Sequence, residues 1–194
     1  DGTIGAMWEE NPAGFEAGTS EITVTEAGGT ISLNGSGTVS YWGGKSMRTT
    51  QSFVASPTAP LVFELDRVSH AGAGTATRTG VYITTRDRSQ YVFFGENRGE
   101  NGWQYNPGNT GGGTTIDAFN VAPFNDGGNH RMLIGADGQN VAMYLDGVLG
   151  ATAAFPVSSG IVFEFGVYTR AADDTVTGVF DNARIENLWT CVGT

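Results

Sequence analysis

The chain of 194 residues holds 30 glycines, only 15% charged residues and a formal net charge of −10. No basic stripe offsets that charge, so the phosphate-neutralising surface of a nucleic-acid binder is excluded, and anionic membranes and strongly anionic glycans are disfavoured unless a local basic pocket intervenes. No segment reaches the ~18 apolar residues of a spanning helix, so membrane insertion is not expected, and the single Cys191 excludes an intrachain disulfide and a cysteine-based zinc site.

In chain order, strand character appears at Glu21–Thr25, Thr30–Asn34, Ser46–Phe53, Leu61–Val68, Arg78–Thr85, Gln90–Gly95, Gly102–Tyr105, His130–Gly135, Asn140–Leu145, Gly147–Ala153, Ile161–Tyr168 and Val176–Glu186. Gly28-Gly29, Asp137-Gly138 and Asp146-Gly147 supply the positive φ of tight hairpin turns. Ala71–Thr77 and Asn106–Thr114 read as Gly-rich loops, and Ala118–Phe124 as a short helical turn. About a dozen strands without helical periodicity predict an all-β fold of two stacked antiparallel sheets, a single domain over residues 1–194.

Four of these segments set an aliphatic face against one that carries a tyrosine. Val81 and Ile83 oppose Arg78 and Tyr82; Val92 and Phe94 oppose Tyr91 and Phe93; Val141, Met143 and Leu145 oppose Tyr144; Phe163, Phe165 and Val167 oppose Glu164 and Tyr168. Period two puts one face in the core and the other outside it. A tyrosine ring stacks on a sugar while its hydroxyl stays wet, so these four tyrosines are expected to share one outward sugar-binding face. The stretch Gly95–Tyr105 adds Asn97, Arg98 and Trp103, an aromatic platform beside planar polar groups.

The hairpin V-A-M-Y-L-D-G-V-L at Val141–Leu149 and the strand V-F-D-N-A-R-I-E at Val179–Glu186 resemble the concanavalin A-like lectin/glucanase superfamily, which includes laminin-G-like domains, carbohydrate-binding modules and glycoside hydrolases. The resemblance implies a two-sheet antiparallel jelly-roll sandwich of concanavalin A type. It requires no cofactor for activity but implies a structural calcium ion, with Asp181 of F-D-N as a ligand and an early acid such as Asp1 as a partner. The hydrolases' E-x-D-x-x-E pattern falls on Tyr91–Glu96, where only Glu96 keeps an acid, and the lyase patterns Q-I-H and Y-x-K-x-G-x-Y are absent.

Glu64 and Asp66 lie two apart on one strand face and form the best local pair for general acid/base work, with a solvated pair bound to Arg67 or Arg78 as the plainer reading. A retaining glycosidase needs two carboxyls roughly 5–5.5 Å apart, which a single Glu96 does not supply. Glu164 is expected either to accept from sugar hydroxyls or to pair with Arg170, and His70 and His130 form no metal cluster or triad of recognisable spacing.

The expectation is a non-catalytic module binding a neutral or weakly charged polysaccharide through Arg78, Tyr82, Tyr91, Phe93, Asn97, Arg98, Trp103, Tyr144, Glu164 and Tyr168. Few lysines beside many Thr, Asn and Gly resembles secreted bacterial glycan-handling proteins, so an extracellular setting and covalently linked partner domains in a parent protein are expected. The alternatives are a glycoside hydrolase or polysaccharide lyase using Glu64, Asp66, Glu96 or Glu164, and an interaction domain with no glycan ligand.

Overall fold

The computed structural model describes residues 5–11, 20–108, 112–157 and 159–187. In chain order its strands are β1 (Trp8–Glu10), β2 (Ser20–Ala27), β3 (Thr30–Gly37), β4 (Gly43–Thr49), β5 (Leu61–Ala73), β6 (Thr77–Thr85), β7 (Tyr91–Arg98), β8 (Gly102–Asn106), β9 (Thr114–Thr115), β10 (His130–Ala136), β11 (Asn140–Leu145), β12 (Val148–Ala154), β13 (Ile161–Thr169) and β14 (Thr175–Asn187). They build two seven-stranded antiparallel sheets stacked as a sandwich. The first runs β1-β4-β13-β6-β7-β8-β9 and the second β12-β11-β10-β5-β14-β3-β2.

Alternation decides what lies between the sheets. Val81 and Ile83, Val92 and Phe94, and Phe163, Phe165 and Val167 turn inward from the first sheet and meet Phe63, Leu65, Met132, Ile134, Met143 and Phe180 from the second. Phe63 packs against Phe163 with ring centroids 5.0 Å apart and Phe165 against Phe180 at 5.1 Å, both tilted, so aromatic pairs join the layers directly. Most strands fall where the period-two pattern puts them. Local differences remain: β1 and β9 have no counterpart among the predicted strands, β5 continues through Ala71–Ala73 because β14 pairs with it there, β4 begins at Gly43 and ends at Thr49, and the helical turn shrinks to a 3-10 turn at Asp117–Phe119.

The interior also holds charge. In β5, Arg67 pairs with Phe180 and Ser69 with Val179, leaving Val68 as an extra residue. The bulge turns Arg67 and His70 to the same, inward side. There the Arg67 guanidinium is ion-paired with Glu96 of β7 and lies 4.7 Å from the Trp103 ring centroid. His70 Nδ1 is 2.9 Å from Glu96 and its Nε2 is 3.1 Å from the Thr77 hydroxyl. A neutral imidazole that donates from Nδ1 to Glu96 and accepts from Thr77 satisfies all three groups.

Burial pulls His70 below the ordinary imidazole range, against the opposing effect of Glu96. For Glu96 burial acts upward, but the His70 hydrogen bond and the Arg67 charge outweigh it and hold the carboxyl below its ordinary value. Both folded values lie under the unfolded ones, so the unfolded chain binds more protons as pH falls and stability is lost on acidification. The loss begins below about pH 6.5 for His70 and about pH 4.3 for Glu96. Thermal melts are therefore expected to show Tm falling between about pH 6.5 and 5, with a shallower slope in that window for His70→Gln. Parallel slopes in the two proteins would show that His70 does not carry this dependence.

Candidate functional site

The outer face of the first sheet is where the sequence-derived residues gather. Pairing sets Tyr82 opposite Phe93 and Glu164, Arg78 opposite Asn97 and Tyr168, and Thr84 opposite Tyr91. Between these rows Gly166, Gly80 and Gly95 are in register on β13, β6 and β7. With no side chains in that row, rings fold down onto the sheet: a Cβ on Gly80 or Gly95 would lie 2.7 Å from the Phe93 ring, and one on Gly44 2.2 Å from the Tyr168 ring. Tyr82 is the hub, with centroid distances of 4.8 Å to Phe93, 5.6 Å to Tyr168 and 5.8 Å to Tyr91.

This corrects the picture of wet tyrosines. Tyr82 and Tyr168 are only 5% and 3% exposed, because they bury each other in a second hydrophobic cluster outside the main core. Burial drives both phenols well above their ordinary range, so they stay neutral and neither is a ready base. The rings left half-buried are Tyr91 and Trp42, the latter just before β4.

Above the cluster is a cavity of about 430 Å³. Trp42, Tyr82, Tyr91, Phe93 and Tyr168 form its aromatic side with the Arg78 guanidinium among them, and Glu100, Asn101, Asn106 and Arg170 its polar rim, with Gly112 and Gly113 from the Gly-rich loop. Arg78 Cζ sits 3.6 Å from the Trp42 ring centroid, Arg170 is ion-paired with Glu100, and the Asn106 side-chain oxygen is buried with no hydrogen-bond partner. Burial lowers the Arg78 pKa from its ordinary value, yet arginine remains a cation at neutral pH.

Other sequence candidates are placed elsewhere. Tyr144 is on β11, on the outer face of the second sheet; alternation told which residues face out but not which sheet they belong to. Trp103 turns into the core and donates from its indole nitrogen to the Phe124 carbonyl at 2.7 Å. Arg98 shares the inward parity of Glu96 and donates to the His70 carbonyl at 2.9 Å, away from the cavity. Asn97 has the outward parity but is fully buried beneath the rim, donating to Glu100 at 3.0 Å.

The acids divide three ways. Glu64 and Asp66 do share a face, the outer face of the second sheet, where Arg131 and Arg184 bind them rather than Arg67 or Arg78. Glu96 points between the sheets. Glu164 belongs to the correct face but is fully buried, accepting from Arg88 at 2.7 and 2.9 Å and from the Ser46 hydroxyl at 3.1 Å; Arg170 goes to Glu100 instead. Sequence reasoning missed Trp42, and its signal was the Tyr41-Trp42-Gly43-Gly44 stretch, aromatics directly before glycines that open a strand.

A second cavity of about 330 Å³ is lined by Asp181, Glu26 and Asn182 among others. Glu26 keeps one buried carboxylate oxygen without a hydrogen-bond partner, and Asp181 accepts from the Asn182 backbone N–H at 2.7 Å. No group of three or more His, Cys, Asp or Glu placed to hold a metal ion forms among the described residues, and Asp1 lies outside them. Asp181 and Glu26 thus bring two carboxylates to the lining of one cavity, where calcium takes six to eight oxygens.

No protein-family model matches the sequence, and no curated protein matches it. Solved structures do. A marine PL7 alginate lyase from Zobellia galactanivorans superposes with a TM-score of 0.63 at 12% identity, covering 84% of this chain and 80% of that one. The Bacillus licheniformis β-glucanase gives 0.58 at 9%, covering 93% and 94%, and the carbohydrate-binding module CBM66 of Bacillus subtilis gives 0.56 at 17%, covering 93% and 95%. The chain thus shares its two-sheet sandwich fold with this lyase, this glucanase and this binding module.

The glycine row makes the site's geometry testable. Gly95→Val would set its Cβ 2.2 Å from the Thr79 carbonyl oxygen on β6 and 2.7 Å from the Phe93 ring, so it is expected both to strain the β6–β7 pairing and to displace Phe93, at a cost in chemical denaturation of at least the ~1–3 kcal/mol usual for overpacking. An unchanged midpoint would mean that the rings do not rest on the glycines.

Proposed function

We propose that the protein is a carbohydrate-binding module that holds a polysaccharide on the outer face of the first sheet without cleaving it, within a secreted glycan-degrading or adhesive protein. The fold does not decide between binding and catalysis, since a binding module, a glucanase and lyases share it; the residues at the site must. The observation that carries the proposal is the cavity with an aromatic side and an amide- and charge-bearing rim, set apart from the acids an enzyme reading would use. Tyr91 and Trp42 offer ring surface to sugar C–H groups, and Asn101, Asn106 and the Arg170–Glu100 pair offer donors and acceptors to hydroxyls. Of the four acids considered for catalysis only Glu164 is on this face, and Arg88 and Ser46 occupy its oxygens.

A stacked ring with its polar contacts contributes about 1–3 kcal/mol, so Tyr91→Ala should weaken affinity for the cognate polysaccharide roughly 5- to 150-fold in titration calorimetry while the melting curve persists. Glu64→Gln, on the opposite sheet, should leave affinity unchanged. Release of reducing ends or unsaturated products by the purified protein would replace this reading with an enzyme.

The proposal includes a structural calcium ion held by Asp181 and Glu26. A ligand bound only by the native state stabilises it by mass action, so excess chelator should lower Tm and added calcium restore it. Asp181→Asn should abolish that response; a chelator-insensitive wild type would remove the ion from the account.

A further inference from the structure

Arg78 stands out among the charged groups of the outer face. Glu164 is neutralised by Arg88, and Arg170 and Glu100 neutralise each other. Arg78 is also largely withdrawn from water, but among the described residues no carboxylate lies within ion-pairing distance of it. What surrounds it is uncharged or like-charged: Trp42 at 3.6 Å, Phe93 at 5.6 Å, and Arg170, whose charge opposes its own. A desolvated cation is costly unless paired, and stacking on an indole offsets only part of that.

The guanidinium is held in place by one edge. With the Gln104 amide turned so that its oxygen meets the donors around it, Arg78 Nε and Nη2 lie 3.2 Å from that oxygen and Asn97 Nδ2 lies 3.3 Å away. The terminal Nη1–Nη2 edge has no acceptor among the described residues, and Arg78 lines the cavity beside Tyr82, Tyr91 and Tyr168. A stacked, clamped guanidinium with one free edge is a planar two-donor fork, the geometry that receives a carboxylate bidentately.

Resting on the polysaccharide-binding reading above, we propose that the site takes an acidic sugar, a uronate unit whose carboxylate is received by the free edge of Arg78 while the ring lies against the aromatic side. This departs from the neutral ligand that net charge alone favours. The chain's charge of −10 acts at long range and is screened beyond about 8–10 Å at physiological salt, whereas a contact pair inside a desolvated cavity is screened far less.

The test is titration calorimetry with 1,4-linked oligouronates of the galacto, gluco and manno series, each beside its carboxyl-reduced counterpart, and with a sulfated neutral oligosaccharide. The wild type is expected to bind at least one oligouronate about 10- to 100-fold more tightly than its reduced form, the range of a charge-assisted bidentate contact. Arg78→Gln should bring that ratio to within about threefold, and Arg78→Lys, which keeps the charge and loses the fork, should fall between them. Melting curves identify any variant that fails to fold, in which case the lysine variant and the wild-type ratio decide. Equal binding of acid and reduced forms, a preference that survives Arg78→Gln, or tighter binding of the sulfated sugar would overturn the carboxylate assignment. If reduced forms bind equally well and Tyr91→Ala abolishes that binding, only this assignment fails; if no oligosaccharide of either kind binds, the polysaccharide reading falls with it.

Discussion

Three glycines in register, Gly166, Gly80 and Gly95, set the character of the outer face on which the site is built. Glycine weakens a strand interior because it contributes no packing and loses most backbone freedom. Here the loss is offset across the strands, since Phe93 covers the positions where two of those side chains would stand. The centre of the first sheet is consequently buried on both faces, by the sandwich core on one side and by Tyr82, Phe93 and Tyr168 on the other. A cavity on that second cluster has a floor fixed by packing on paired strands, which is how a binding surface keeps its shape before ligand arrives.

The same strands carry a different device inward. Glu96 lies on β7, and the uninterrupted pairing of β7 with β6 gives it the parity of Val92 and Phe94 rather than that of Tyr91 and Phe93. Once there it needs counter-charge, which the bulge at Val68 supplies by turning both Arg67 and His70 toward it. Removing one member of such a group typically costs about 3–5 kcal/mol because the others remain buried and unpaired. The trio therefore ties the two sheets at a single register and has no route to a ligand on the outer face.

Much of the architecture was legible because period-two alternation reports burial directly: Val81, Ile83, Val92, Phe163 and Phe165 all face the core as the pattern requires. What alternation does not report is which sheet a strand joins, so Tyr144 was grouped with tyrosines from which a whole core separates it. Nor does it report what covers an outward face, so Tyr82 and Tyr168 read as wet when neighbouring rings bury them. Partners of surface acids depend on strand neighbours far apart in sequence. Glu64 meets Arg184 across 120 residues, a pairing fixed only once β5 and β14 lie side by side. Trp42 was missed because it precedes its strand and has no alternating partner to mark it.

The distribution of charge between the sheets gives the acidic chain a cationic site. On the second sheet Glu64 and Asp66 gather Arg131 and Arg184 around them, and inside the sandwich Glu96 holds Arg67. On the first sheet the balance is reversed at one point: Glu164 and Glu100 each engage an arginine, leaving Arg78 over. Net charge, a sum over the molecule, governs long-range approach and solubility. Recognition at contact depends instead on which single charge lacks a partner where water is scarce, and an indole face and an amide oxygen orient that charge without cancelling it.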